Sequence, residues 1–197
     1  LGARVRRLPS TPHLPDGVFV EDAAVVLDDV AVITRPGAVS RQPETASVEA
    51  ALAAHRPLVH VHAPATLDGG DVLVAGRRIY IGLSTRTSRA AIQQLADQLA
   101  RHGYEVIPLA FTGCLHLKSA VTRIADDLML VNPAWVEADA FTGYRALIVD
   151  PAEPHAANAL ALGGAVVHPL QHVRTRARLE AAGLTVVTVP QVELAKA

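Results

Sequence analysis

Cysteine is almost missing from this chain. The one thiol in 197 residues, Cys114, cannot form an internal disulfide, so a reducing cytoplasm is the expected compartment. Excess charge of either sign is missing too. Eighteen basic and 19 acidic side chains leave a net charge of −1, and no global field favours nucleic acid as a partner. No apolar run approaches the roughly 20 residues that cross a bilayer, so no membrane partner is expected. Aromatics make up only 4% of the chain while half of it is hydrophobic. A core of Ala, Val and Leu needs many small contacts, which suits repeated α/β layers. The start, Leu1-Gly2-Ala3-Arg4, has neither an initiator Met nor a signal-peptide pattern, and the chain is expected to begin inside a longer product.

What is present is a repeat. Four segments share one order of elements: a polar-led strand, a tight turn, a second strand, a helical stretch and a closing strand. The first opens at Val18-Phe19-Val20-Glu21-Asp22, turns at Asp28-Asp29, returns over Val30–Thr34, and adds a helix from about Glu44 to His55 and a strand at Leu58–His62. The second opens at Leu67-Asp68-Gly69-Gly70-Asp71 and turns at Ala75-Gly76. Its helix, Ser88 to His102, carries Ala91, Ile92, Leu95 and Leu99 on one face, with Ser88 as N-cap and Gly103 as stop. The third opens at Leu115-His116-Leu117-Lys118-Ser119 and the fourth at Ala157-Asn158-Ala159-Leu160, turning at Gly163-Gly164. The openings recur at roughly 40 to 50 residues, a period of radial and stacked repeats. An open doubly wound sheet also alternates strands and helices, but places single strands between them; a hairpin at every opening favours radial ββαβ units.

Radial packing would bring the opening segments to a common axis, together with their polar residues: Asp16, Glu21 and Asp22, then Asp68 and Asp71, then His116, Lys118 and Ser119, then Asn158. A charge inside an apolar strand is costly to bury without a partner. Several carboxylates and one imidazole suit a planar cation such as a guanidinium, whose rigid fork of donors they match bidentately. Strand alternation would bury at least one of Glu21 and Asp22. An acid on the His116 ring would fix its tautomer for proton transfer. Cys114, two residues before His116, would share its strand face. That pair could be nucleophile and base, but a buried structural thiol is the favoured reading. His60 and His62 have a ligand-like spacing without further ligands, and no metal site is expected. Arg86, in a loop before a helix, is placed to meet a carboxylate.

Four stretches in register, Leu14-Pro15-Asp16-Gly17-Val18-Phe19-Val20-Glu21-Asp22, Leu67-Asp68-Gly69-Gly70-Asp71-Val72-Leu73, Ile81-Gly82-Leu83-Ser84-Thr85-Arg86-Thr87 and Leu115-His116-Leu117-Lys118-Ser119, resemble the dimethylarginine dimethylaminohydrolases. The resemblance covers essentially the whole chain. It implies the pentein fold, an α/β propeller of five ββαβ blades of which about four are expected here, with residues 1–197 as a single pentein-type domain. It implies that Asp16, Glu21 and Asp22 grip the guanidinium and α-amino groups of a methylated arginine. Arg41 and Arg86 would bind its carboxylate, and His116 would be the general acid/base with Asp68 orienting it. The implied reaction is hydrolysis of a C–N bond of a linear amidine, giving citrulline and methylamine or dimethylamine through a cysteine thiouronium adduct, without a cofactor. The family's nucleophile lies in a Thr-Cys motif just past a segment like Val192-Glu193-Leu194-Ala195-Lys196-Ala197. Cys114 does not match it, so the nucleophile is expected beyond this chain's end and the family's first segment before its start. The 197 residues alone are expected to be inactive.

Two alternatives stay open. One is another guanidine-modifying enzyme, an arginine deiminase or amidinotransferase. The other is a catalytically inactive, ligand-binding or structural pentein fragment. The expected partner is a small molecule, and a second copy of the chain remains open as another.

Overall fold

In the computed structural model, residues 2–191 are described; the Val192–Ala197 segment singled out above lies outside them. The described chain forms two compact units. One is Val5–Ala110, and the other runs from Phe111 onward together with residues 2–4. Each unit holds two copies of one three-stranded sheet.

In the first unit, β1 (Ala24–Val26) pairs antiparallel with β2 (Ala31–Ile33), and β2 pairs parallel with β3 (Leu58–His60) after α1 (Thr45–Leu52). The second copy repeats this with β4 (Val72–Ala75), β5 (Arg78–Leu83) and β6 (Glu105–Ala110), with α2 (Arg89–Leu99) as the crossover. Gly76 supplies the positive φ of its hairpin turn, +63°. A hairpin fixes the first pairing cheaply, and a helical crossover is what a parallel return requires.

α2 bears out its sequence signal in full. Ala91, Ile92, Leu95 and Leu99 are buried, the Ser88 hydroxyl accepts the Ala91 N–H at 3.3 Å, and Gly103 takes φ +74° just past the end. Burying each of the large residues contributes about 1.5–3 kcal/mol. They join Val25, Val32, Leu67, Ile79, Ile81 and Tyr104 in one core.

The second unit repeats the plan. β7 (Val121–Ala125), β8 (Leu128–Val131) and β9 (Arg145–Ile148) form one sheet, and β10 (Leu160–Leu162), β11 (Ala165–Pro169) and β12 (Thr185–Val189) the other. Each has an antiparallel pair followed by a parallel one. α3 is the single turn Leu117–Ala120, and α4 (Val173–Ala181) bridges β11 to β12. Ile124, Leu130, Val149, Val166 and Leu179 centre a second core. Between β8 and β9 the crossover holds only a 3-10 turn, Ala138–Ala140, where the repeat calls for a helical stretch.

The openings depart from expectation. Pro15–Val18 and Val20–Ala23 are 3-10 turns rather than one strand, Gly69–Asp71 is another, and Leu117–Ala120 is helical. Their polar residues need partners from other loops, and tight turns aim side chains at those partners where a pleated ladder would not.

Candidate active site

The first two openings meet within the Val5–Ala110 unit. Gly69 packs so closely on the Glu21 carbonyl oxygen that any Cβ there would overlap it. From that approach the Gly70 N–H donates to Asp22 Oδ1 at 2.8 Å. Asp68 is fully buried, and its Oδ1 accepts the Gly37 N–H at 2.8 Å. One oxygen of Asp22 and one of Asp68 lie within 4.8 Å of each other. Two buried carboxylates, each fixed by a backbone donor, form a compact site for a cation.

Asp22 is also gripped from behind. Arg41 Nη1 donates to its Oδ2 at 2.7 Å, while Arg41 Nε and Nη2 donate to Glu44 at 3.1 and 2.9 Å. Nη2 reaches the carbonyls of Asp16 and Phe19 as well, both at 3.3 Å. Burial works to lower the Arg41 pKa, but the bonds to Glu44 and Asp22 outweigh it and hold the guanidinium above its ordinary value. All three of its nitrogens are thus engaged inside the protein, whereas the resemblance gave Arg41 to a substrate carboxylate. Sequence reasoning missed Glu44; its i, i+3 spacing from Arg41 at a helix start was the available signal.

Glu21 and Asp22 point to different places. Asp22 is buried as described, while Glu21 is exposed and borders a largely apolar cavity of about 880 Å³ with Arg6, Arg7, Leu14, Val48 and His55. Asp16 is half-buried on the turn beneath Arg41. Arg86, half-buried on the loop between β5 and α2, makes no hydrogen bond or ion pair with its guanidinium among the described residues. It differs in this from Arg41. Its loop is fastened from below: the Ser84 hydroxyl accepts the N–H groups of Arg86 and Thr87 at 2.9 and 3.0 Å.

In the unit from Phe111 onward, half-buried His116 precedes α3, and its carbonyl accepts the Ser119 N–H at 3.0 Å. Cys114 does not share a strand face with the imidazole, because residues 111–116 form no strand. Its thiol donates to the His116 carbonyl at 3.2 Å. The loop is seated by Gly113 (φ +76°), which lies against the Trp135 ring where no Cβ would fit. The Thr112 N–H donates to the Trp135 carbonyl at 2.9 Å, and His155 meets that indole edge-on at 4.9 Å between ring centroids. His60, of the HxH pair, bonds through Nε2 to Glu49 at 2.9 Å.

With this geometry in view, comparison with known proteins is specific. Residues 9–155 match the family model described as arginine deiminase. A dimethylarginine dimethylaminohydrolase of Pseudomonas aeruginosa is 31% identical over 191 residues, covering 96% of this chain and 75% of the relative. The enzyme of the same name from Streptomyces coelicolor is 50% identical over 117 residues, covering 59% of this chain but 45% of the relative, less than half of its length. A solved structure of the P. aeruginosa protein, a Cys→Ser mutant complexed with citrulline, superposes with a TM-score of 0.90 at 30% identity, over 94% of this chain and 74% of that one. The ββαβ units of the two halves are therefore those of the pentein class, and this chain belongs to the arginine deiminase family, within it to the dimethylarginine dimethylaminohydrolases.

Proposed function

We propose that the protein hydrolyses Nω-methylated arginines to citrulline and methylamine or dimethylamine, with residues 1–197 acting as one pentein-type domain. The observation that carries this reading is the pair of buried carboxylates, Asp22 and Asp68, held within 4.8 Å of each other by backbone donors. Such a pair fits a guanidinium, and its negative charge keeps the central carbon cationic and open to attack. The relative crystallised with citrulline supports the same product.

In this reading Asp22, with Asp16 and Glu21, receives the guanidinium and α-amino ends, and Arg86 takes the α-carboxylate. Arg41 serves by holding Asp22, since its donors are already engaged. The nucleophile is a cysteine thiolate from sequence outside these 197 residues. It attacks the guanidinium carbon and forms a C–S bond; His116, oriented by Asp68, gives its proton to the departing amine as the C–N bond breaks. Water then adds to the thiouronium carbon, His116 takes a proton from it, and the C–S bond breaks to release citrulline and the thiolate. The reading uses no cofactor or metal.

The test is a substrate panel on the protein carrying its nucleophile. Dimethylamine released from asymmetric dimethylarginine, lowered at least about 100-fold by His116→Ala, is the expected result. The family model favours one rival, and ammonia released from unmethylated arginine with dimethylarginine untouched would establish that deiminase instead.

A further inference from the structure

Asp71 has no part in the chemistry above, yet it is fully buried and central to the network around it. Its Oδ2 accepts two hydroxyl protons, from Ser84 at 2.7 Å and from Thr87 at 2.6 Å. A hydroxyl has one proton to give, so donation to the carboxylate oxygen fixes the direction of its lone pairs. Ser84 turns its lone pairs to the Arg86 and Thr87 N–H groups, and Thr87 turns its own to the Asp68 N–H at 3.2 Å. Gly37 completes the ring. Its N–H holds Asp68 Oδ1, and a Cβ on it would stand 2.5 Å from the Arg86 carbonyl oxygen, so the loop lies directly on it.

We propose that Asp71 is a positioning residue that sets both ends of the substrate site from one buried carboxylate. Through Ser84 it fixes the Arg86 loop at the carboxylate end; through Thr87 it fixes the main chain of Asp68 at the guanidinium end. The naming of those ends rests on the function proposed above, while the network itself does not. The two hydroxyls divide the task, so their loss has different consequences. Ser84→Ala frees the Arg86 amide and leaves the Asp68 contact to Thr87 in place. Thr87→Val frees the Asp68 amide and leaves Ser84 on Asp71.

The experiment uses the 197-residue chain, with amide exchange measured by NMR and binding by calorimetry. In Asp71→Asn the Arg86 and Thr87 amides are expected to exchange about tenfold faster, the scale of one lost hydrogen bond, while those of α2 and β6 keep their protection. Ser84→Ala is expected to weaken citrulline, which carries an α-carboxylate, about tenfold without changing the affinity for methylguanidine, which has none. Thr87→Val is expected to weaken methylguanidine as well. Unchanged exchange at Arg86 and Thr87 in Asp71→Asn overturns the proposal, and so does equal weakening of both ligands by Ser84→Ala. If the unmutated chain binds neither ligand, the functional reading falls, and the exchange data still decide whether Asp71 holds the loop.

Discussion

Arg41 is 8% exposed and fully charged, and that combination is stable only because Asp22 and Glu44 face it. Removing one member of a buried ionic cluster leaves the others desolvated and unpaired, a loss of about 3–5 kcal/mol. Arg41→Ala should therefore destabilise the Val5–Ala110 unit by that amount in urea titration, and Arg41→Lys should recover only part of it, because an ammonium cannot span both acids in one plane. A variant that loses less than about 1 kcal/mol, the range of exposed pairs, would show that the cluster is solvated. The acids were legible only as a group: alternation called for at least one of Glu21 and Asp22 to be buried, and the repeat gathered Asp68 with them, but the choice of Asp22 over Glu21 was not readable. Their partners were not. The donors come from Gly37, Gly70 and Arg41, and a glycine N–H carries no chemical signal in a sequence. Ser84 and Thr87 look like ordinary loop residues until Asp71 is seen against them.

At the scale of elements, the hairpins, α1 and α2 were readable from turn residues and from period, because each is fixed by contacts close in sequence. α2 is the clearest case, and its cap is testable. Ser88→Ala removes the acceptor for the Ala91 N–H and also the bond from the Thr66 N–H at 3.1 Å. A loss of about 0.5–2 kcal/mol is expected, with faster exchange at Ala91 and Thr66. Protection kept at both amides would mean that the cap contributes little. The opening segments were misread for the opposite reason. Val18-Phe19-Val20 has strand composition, but Asp22 just beyond it takes its partners, Arg41 and the Gly70 N–H, from distant loops. Tertiary demand overrides β propensity there. α4 shows a cap that local sequence hides. The Glu153 carboxylate, some 20 residues upstream, accepts the Arg174 and Thr175 N–H groups at 3.0 and 2.8 Å.

Across the whole molecule, acid should act unevenly. His168 is fully buried in the unit from Phe111 onward, and its Nε2 bonds to the Ala156 carbonyl at 3.0 Å. Burial depresses its pKa below the ordinary 6.5, the neighbouring His172 lowers it further, and the Ala156 carbonyl and Glu153 oppose the shift without cancelling it. The unfolded chain then binds more protons than the folded one below about pH 6.5, so stability falls as pH drops through that value toward the folded pKa. The carboxylates of the other unit titrate in the unfolded chain only near pH 4. Between pH 7 and 5 the unfolding midpoint of the unit carrying His168 should fall, and His168→Phe should flatten that slope. A slope unchanged in His168→Phe would assign the effect elsewhere. No helix among the described residues is long and apolar enough to cross a membrane.

The seat of Gly113 under the indole gives this protein a built-in optical reporter. Trp135 is the only tryptophan of the chain, so every photon of indole emission originates beside the loop that leads to Cys114 and His116. A molecule that reorders residues 112–116 would disturb the same ring. Occupancy near His116 can then be followed by light in the unlabelled protein, at concentrations far below those calorimetry needs.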